Sequence, residues 1–526
     1  MRKGLIALAA IFFMVSISNP VFSAKEGGTL VVGLESEVGI LDPHLTQGWV
    51  TFRVNHEIYD CLVHEDLSTP NAPIPLVPGL ATKWEVSGNG TIYTFTLREN
   101  VKFHDGTPFN AEAVEFNLRR CIDPNFKYYY SRADANTKKL YGLIKEIKVL
   151  DTYKIQIVFK EPYHSFIRLV ASITMGSGGI VSPAAVQKYS NEGIANNPVG
   201  TGPFIFVERV RGEKIVLKRN PDYWGEKAKV DRVIFRPMEE AASRISALET
   251  GEADIVCVPP PDSIDPMVKK GFVLSKGPTP HVWYLSLNMK NSILSNLKVR
   301  QAINYAIDRE MIAKSLLRET ALPAYGLLVP GDPLYDPNFK PYPYSPEKAK
   351  QLLSEAGYPN GFETTLQTSV GGSGQIMPVA IAEWIQRDLG KLGIKVKLDT
   401  YEWITYLGVW LKGMPPEIGM NQMSWGFTAP FLLNLIAQTQ WFAPVGLNSG
   451  YYSNKDVDNW IIQAEQASSD QDYSKFYKMA HEQIMRDAAY APIVNDLAPY
   501  LMTKKVKGFV HAAEDWFSCV PIYIEE

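Results

Sequence analysis

The sequence predicts a mixed α/β protein of about three globular units, and three observations carry that expectation. Short alternating strand patterns interleave with helical ones along the chain. The 526 residues, at roughly 150 per domain, exceed what one core encloses. Glycine (38) and proline (36) stand near ordinary usage, which excludes collagen-like and low-complexity classes. No repeat with a period of about 20–50 residues is visible. Lys and Arg number 53 against 56 Asp and Glu, for a formal charge of −3. A chain this close to neutral has no electrostatic reason to hold nucleic acid or an anionic membrane surface.

Residues 1–23 read as a secretory signal. Arg2 and Lys3 give the basic start, residues 5–17 the apolar run, and Val21 and Ser23 suit a cut after Ser23. The run is shorter than the ~20 apolar residues of a membrane span. No cysteine follows it, so a lipoprotein anchor is not expected. Cys61, Cys121, Cys257 and Cys519 fit no zinc spacing; disulfides and buried free thiols both stay open.

Residues 93–97 alternate as a strand, and His104-Asp105-Gly106 turns the chain into a helix capped by Asn110, with Glu112 in its first turn. Residues 239–250 form a helix stopped by Gly251, followed by a strand at 254–258. Prolines at 259–261 and around 278–280 mark a break, after which 281–288 is extended and suited to cross between units. A helix follows Asn296 with Val299, Ala302, Ile303, Ala306 and Ile307 on one face. Ser345 and Pro346 start another that ends at Gly357. The helix near 377–392 buries Ile381, Trp384, Ile385, Leu389 and Leu392, and feeds a strand at 394–398. Polar helices cover about 455–467 and 472–488, and the chain is extended again over 491–502.

Templates for catalysis are absent. There is no G-x-S-x-G elbow or P-loop, and His481-Glu482 lacks the second histidine of a metalloprotease. His104 beside Asp105 is read as turn chemistry. No histidine, cysteine and carboxylate cluster calls for a metal, and no cofactor is expected. Gly371-Gly372-Ser373-Gly374, between a strand at 364–370 and the next helix, is either a surface loop or a backbone N–H receptor for an anionic or hydrogen-bonding ligand. Trp49, Trp403, Trp425 and Trp441 lie in polar or glycine-containing stretches and are candidate pocket walls. Trp384 is assigned to the core.

Six segments, in order, resemble the signatures of extracytoplasmic solute-binding proteins of the peptide/nickel class (family 5), which serve ABC importers. They are 97–118 (LRENVKFHDGTPFNAEAVEFNL), 198–206 (PVGTGPFIF), 219–225 (RNPDYWG), 247–255 (ALETGEADI), 299–312 (VRQAINYAIDREMI) and 349–362 (AKQLLSEAGYPNGF). The resemblance implies a two-lobed periplasmic-binding-protein fold with a hinge. On it, lobe I comprises 24–60, 195–280 and 491–526, an additional subdomain 61–194, and lobe II 281–490. It also implies a periplasmic monomer that encloses a small peptide-like or sugar-like ligand, presents the closed form to permease subunits in the inner membrane, and is not an enzyme. A secreted hydrolase and an exported chaperone-like binder are the alternatives.

The resemblance also bears on the ligand. Residues 400–407 (TYEWITYL) are similar to a segment of dipeptide-binding members, in which a Trp is followed three residues later by an Asp that pairs with the peptide amine. Here Trp425 matches the Trp, but Thr428 stands at the Asp position. The Arg that meets the peptide carboxylate in those members aligns with Gly372. The first-lobe pocket loop resembles 46–51, with Thr46, Gly48 and Trp49 facing the ligand, and Ser373 joins them from the glycine run. Enclosing a zwitterion without opposite charges costs several kcal/mol. An oligosaccharide, a blocked peptide or a longer peptide held by its backbone is therefore expected over a free dipeptide. No histidine lies in 400–440, which disfavours a nickel chelate.

Overall fold

The computed structural model describes residues 27–45, 48–173, 178–426 and 430–525. The signal segment and the expected contacts Thr46 and Thr428 therefore lie outside the described residues.

Strand Thr29–Leu34 has Leu30, Val32 and Leu34 fully buried and forms the centre of a seven-stranded sheet. It pairs in parallel with Arg232–Pro237 on one side and Ile255–Cys257 on the other. Beyond these lie Lys214–Arg219 and Phe204–Val210 at one edge, Tyr500–Met502 and Val273–Ser275 at the other. A six-stranded sheet is ordered Ala321–Pro323, Tyr490–Asp496, Val282–Leu287, Met420–Trp425, Glu363–Ser369, Lys395–Tyr401. Helices Leu297–Ala306 and Pro378–Gly390 cover one of its faces.

The chain crosses between the two sheets twice. Of the expected crossing stretches, 491–502 does cross, from Tyr490–Asp496 in the six-stranded sheet to Tyr500–Met502 in the seven-stranded one. The other, 281–288, falls within the six-stranded sheet as Val282–Leu287, the antiparallel neighbour of Tyr490–Asp496, both strands with every residue buried. The links themselves are shorter, at 276–281 and 497–499. They are stitched together: Gly277 N–H donates to the Leu497 carbonyl at 2.9 Å, the Thr279 hydroxyl to the Asp496 carbonyl at 3.0 Å, and Asn495 Nδ2 to the His281 carbonyl at 3.2 Å. Two short links lying side by side let the sheets rotate about one axis, which is hinge geometry.

A third, antiparallel sheet of Ala81–Ser87, Ile92–Leu97, Lys154–Phe159 and Ile144–Asp151 forms the additional subdomain. Its period-two pattern buries Tyr93, Phe95, Leu97, Ile155, Ile157 and Phe159 on one face. Helix Ala111–Ile122 packs there, started by Asn110, whose Oδ1 accepts from Ala113 N–H at 3.0 Å. From that helix Arg120 reaches the lobe with the seven-stranded sheet. Its Nη1 lies 3.1 Å from Asp42 Oδ1 and 2.8 Å from His44 Nδ1, and its Nε donates to Asn191 at 2.8 Å. Both charged partners have side chains at 0% exposure.

Local signals behave as chemistry dictates. Gly251 ends Ala241–Thr250 at φ 77°, and Ser345 caps Pro346–Glu355. Asp105 accepts from Thr107 and from the Ser182 hydroxyl, and His104 meets the Gly202 carbonyl, so this pair is a turn. Trp384 differs from its core assignment: it is half-buried at the edge, with the Arg387 guanidinium 3.8 Å over its ring. The four cysteines are buried and free, which resolves that alternative. Among the described residues no helix is long and apolar enough to cross a membrane, and no group of three or more His, Cys, Asp or Glu could hold a metal.

Candidate ligand cleft between the lobes

Helix Trp49–Ile58 begins at Gly48, whose φ of 89° is left-handed and which has no side chain to cap the helix. The missing acceptor comes from the opposite lobe. Ser373 Oγ accepts from Val50 N–H at 3.0 Å across a separation of 323 residues. Gly374 N–H points back at Glu35 Oε1, at 3.4 Å. The glycine run thus forms a lobe-to-lobe contact, and Ser373 serves as an N-cap supplied in trans.

The close approach requires glycine at two of these positions. A Cβ on Gly374 would stand 2.6 Å from Trp49 Cδ1 and 2.8 Å from His281 Cε1. At Gly372, φ is 138° and a Cβ would run into the Trp403 ring. The indole of Trp403 fills the space that an arginine at 372 would need.

A cavity of about 440 Å³ opens beside this contact. Glu35, Glu37, Val50, Glu239 and Glu240 line it from the first lobe; Gly371, Gly372, Ser373, Glu402, Trp403 and Leu407 face them from the second. No lysine or arginine lines it among the described residues. Ile404, 70% exposed, sits at its rim. Helix Trp403–Lys412 presents Trp403, Ile404 and Leu407 because Glu402 caps it, accepting from Ile404 N–H at 3.0 Å and Thr405 N–H at 3.2 Å.

Beneath the first-lobe wall, Arg53 donates to Glu35 Oε2 at 2.7 Å, to Asp515 Oδ2 at 2.8 Å and to the Asp515 carbonyl at 2.8 Å. Burial acts to raise both carboxyls. For Glu35 the Arg53 guanidinium outweighs burial and holds it below the usual range, whereas Asp515 stays raised at about 7. Trp49 is buried on this floor. It stacks on Trp516 at 5.5 Å and meets the His281 ring edge-on at 4.1 Å. Burial, then the Arg53 charge, push His281 down to about 3, so the ring is neutral.

Of the residues proposed from sequence, the structure brings together Gly48, Trp49, Gly372, Ser373 and Trp403. Trp425 stacks on Trp410 at 5.6 Å under the helix Trp403–Lys412 and does not line this cavity. Trp441 is elsewhere: its Nε1 donates to Asn434 at 3.0 Å, and it lines a separate cavity of about 280 Å³ between the additional subdomain and the second lobe. Sequence reading missed Glu35, His281, Glu402 and Trp516. Only Glu402, an acidic residue ahead of an apolar helix, carried a local signal.

The family described as "Bacterial extracellular solute-binding proteins, family 5 Middle" matches residues 75–443, more than half of the chain. The glutathione-binding protein GsiB of Escherichia coli (strain K12) is 32% identical over 529 residues, covering 98% of each chain. Among solved structures, the ABC transporter-associated periplasmic binding protein DppA from Helicobacter pylori, in complex with the peptide STSA, is 31% identical. It aligns with a TM-score of 0.85 over 95% of this chain and 99% of its own. A dipeptide binding protein from Pseudoalteromonas sp. SM9913 shares the fold, at TM-score 0.84 and 24% identity over 95% of this chain and all of its own. Two sheets joined by paired links, a cleft between them and full-length relatives of this kind place the chain in family 5 of the bacterial extracellular solute-binding proteins of ABC importers.

Proposed function

We propose that the protein captures a peptide-like solute between its lobes and delivers it to an ABC permease, gripping the ligand by backbone and aromatic contacts without salt links to both of its ends. In this reading the protein acts as a periplasmic monomer, after loss of residues 1–23, and makes or breaks no bonds. Its lobes follow the bounds 24–60 with 195–280 and 491–526, and 281–490, with 61–194 as the subdomain.

The observation that carries the reading is the Gly372–Trp403 contact, an indole in the space of a carboxylate-binding arginine. The carboxylate-lined cavity beside it supports the same view, because a buried ligand carboxylate there would lack a counter-charge. GsiB by its name binds glutathione and the H. pylori protein was solved with a tetrapeptide, which favours peptide-like ligands over sugars. Gly48, Ser373, Trp403 and, beyond the described residues, Thr46 and Thr428 are the proposed contacts; Trp425 supports them through Trp410.

Calorimetry and thermal shift test this with Ser-Thr-Ser-Ala as free acid and as C-terminal amide, a free dipeptide, and a neutral oligosaccharide. The amide should bind at least as tightly as the acid, and the dipeptide at least tenfold more weakly, about 1.4 kcal/mol. Thr428→Asp should narrow the dipeptide gap by supplying an amine anchor. Tight dipeptide binding that amidation abolishes would refute the proposal.

A further inference from the structure

The additional subdomain meets the second lobe at a polar contact remote from the Gly372–Trp403 cleft. His164 and Ser165, just ahead of helix Phe166–Ala171, face the end of helix Lys455–Glu465 and the turn into helix Asp470–Arg486. His164 N–H donates to the Glu465 carbonyl at 2.8 Å. The Ser165 hydroxyl donates to Glu465 Oε1 at 2.7 Å, and Ser165 N–H reaches Oε2 at 3.3 Å. Tyr477, from Glu465's own lobe, donates its hydroxyl to Oε1. The His164 ring stacks on Tyr473 at 4.2 Å, with its nitrogens 3.2 Å from the Ala467 carbonyl and 3.1 Å from Asp470.

Glu465 is buried, and no lysine or arginine forms an ion pair with it among the described residues. Such a carboxylate is tolerated only while donors surround it. One of its three donors, the Tyr477 hydroxyl, belongs to its own lobe and two belong to the subdomain, so separation of the lobes exchanges the Ser165 hydroxyl and amide for water. Ser165 is likewise committed: it stands at the N-cap position of Phe166–Ala171 but its side chain caps nothing there. Both groups are arranged for each other across 300 residues of sequence.

We propose that Glu465 is a positioning residue for capture: its docking on Ser165 sets how fully the second lobe closes, so the additional subdomain helps hold the cleft shut from a distance. The proposal rests on the reading that ligand is enclosed between the lobes.

The experiment follows the closed fraction by single-molecule FRET, with dyes on Lys83→Cys in the subdomain and Lys395→Cys in the second lobe; the native cysteines are buried. Measured without ligand, Ser165→Ala and Glu465→Ala should each lower the closed-to-open ratio at least fivefold, while Glu465→Gln, which keeps an acceptor for Ser165, stays within twofold. With Ser-Thr-Ser-Ala as probe, the first two should dissociate at least fivefold faster. An unchanged ratio in Ser165→Ala, the mildest variant, would overturn the proposal, as would an effect confined to the urea midpoint. If wild-type protein fails to bind the peptide, the ligand reading falls, while the ligand-free ratio still decides the role of Glu465.

Discussion

Two of the seams in this molecule are built from different materials. Where the additional subdomain joins the first lobe, a fully buried ion pair, Arg120 with Asp42, is braced by His44 and Asn191. Where the glycine loop of the second lobe meets the first lobe, the hydrogen bonds are a serine hydroxyl on one amide and a glycine amide on one carboxylate. The first seam cannot part without stranding charge in a dry interior. The second can part with water replacing each bond, at a net of about 1 kcal/mol apiece. A binding protein that must open and close needs both kinds: ion pairs where the chain stays fixed, single hydrogen bonds where it moves.

Breaking the fixed seam gives the largest expected effect. Arg120→Ala leaves Asp42 buried without its counter-charge and should lower unfolding stability by about 3–5 kcal/mol in urea titration. A loss below about 1 kcal/mol would make this seam no firmer than the other. At the moving seam, Gly374→Ala places a methyl against Trp49 and His281 in a backbone with φ 66°. We expect the radius of gyration in solution to increase and ligand affinity to fall at least tenfold, or about 1.4 kcal/mol, with little change in unfolding of the separate lobes. A compact Gly374→Ala protein with full affinity would show that closure does not need this contact.

The smallest effect concerns the links between the lobes. Burial, then the nearby Asp515 charge, raise Asp496 to about 8. A carboxyl raised in the folded state contributes stability below its unfolded value, near 4, and loses it as pH climbs through about 8. Asp496→Asn should therefore gain a few degrees of melting temperature relative to wild type between pH 5 and pH 9. A difference that stays flat with pH would place that proton elsewhere in the Arg53–Asp515 network.

What the sequence made legible follows the range of the interaction. Asn110, Ser345 and Gly251 act on atoms within a few residues, and each cap or stop stands where composition and spacing put it. The family resemblance carried the two-lobed plan. The role of Ser373 could not be read, because the amide it caps lies 323 residues away and nothing near Gly371–Gly374 names that partner. The helix Trp403–Lys412 escaped the periodicity reading because it is apolar on both faces: Tyr406 and Trp410 are buried, while Ile404 and Leu411 are exposed. The first crossing point was displaced for a related reason: an extended pattern at 281–288 marks strand without marking where the sheet ends, whereas 491–502 spans the second crossing. Asp515 lies 462 residues from Arg53, while Glu35 is 18 away, so the network that joins all three exists only after folding.

One consequence concerns Trp49. Its indole lies against Trp516 and His281, with the Gly374 backbone closing its edge. When the glycine loop withdraws, that edge becomes wet while the stacked partners stay behind, so the emission of this single ring shifts with the state of the molecule. Measured as the difference between wild type and Trp49→Phe, which subtracts the other ten tryptophans, that shift would report closure of the cleft.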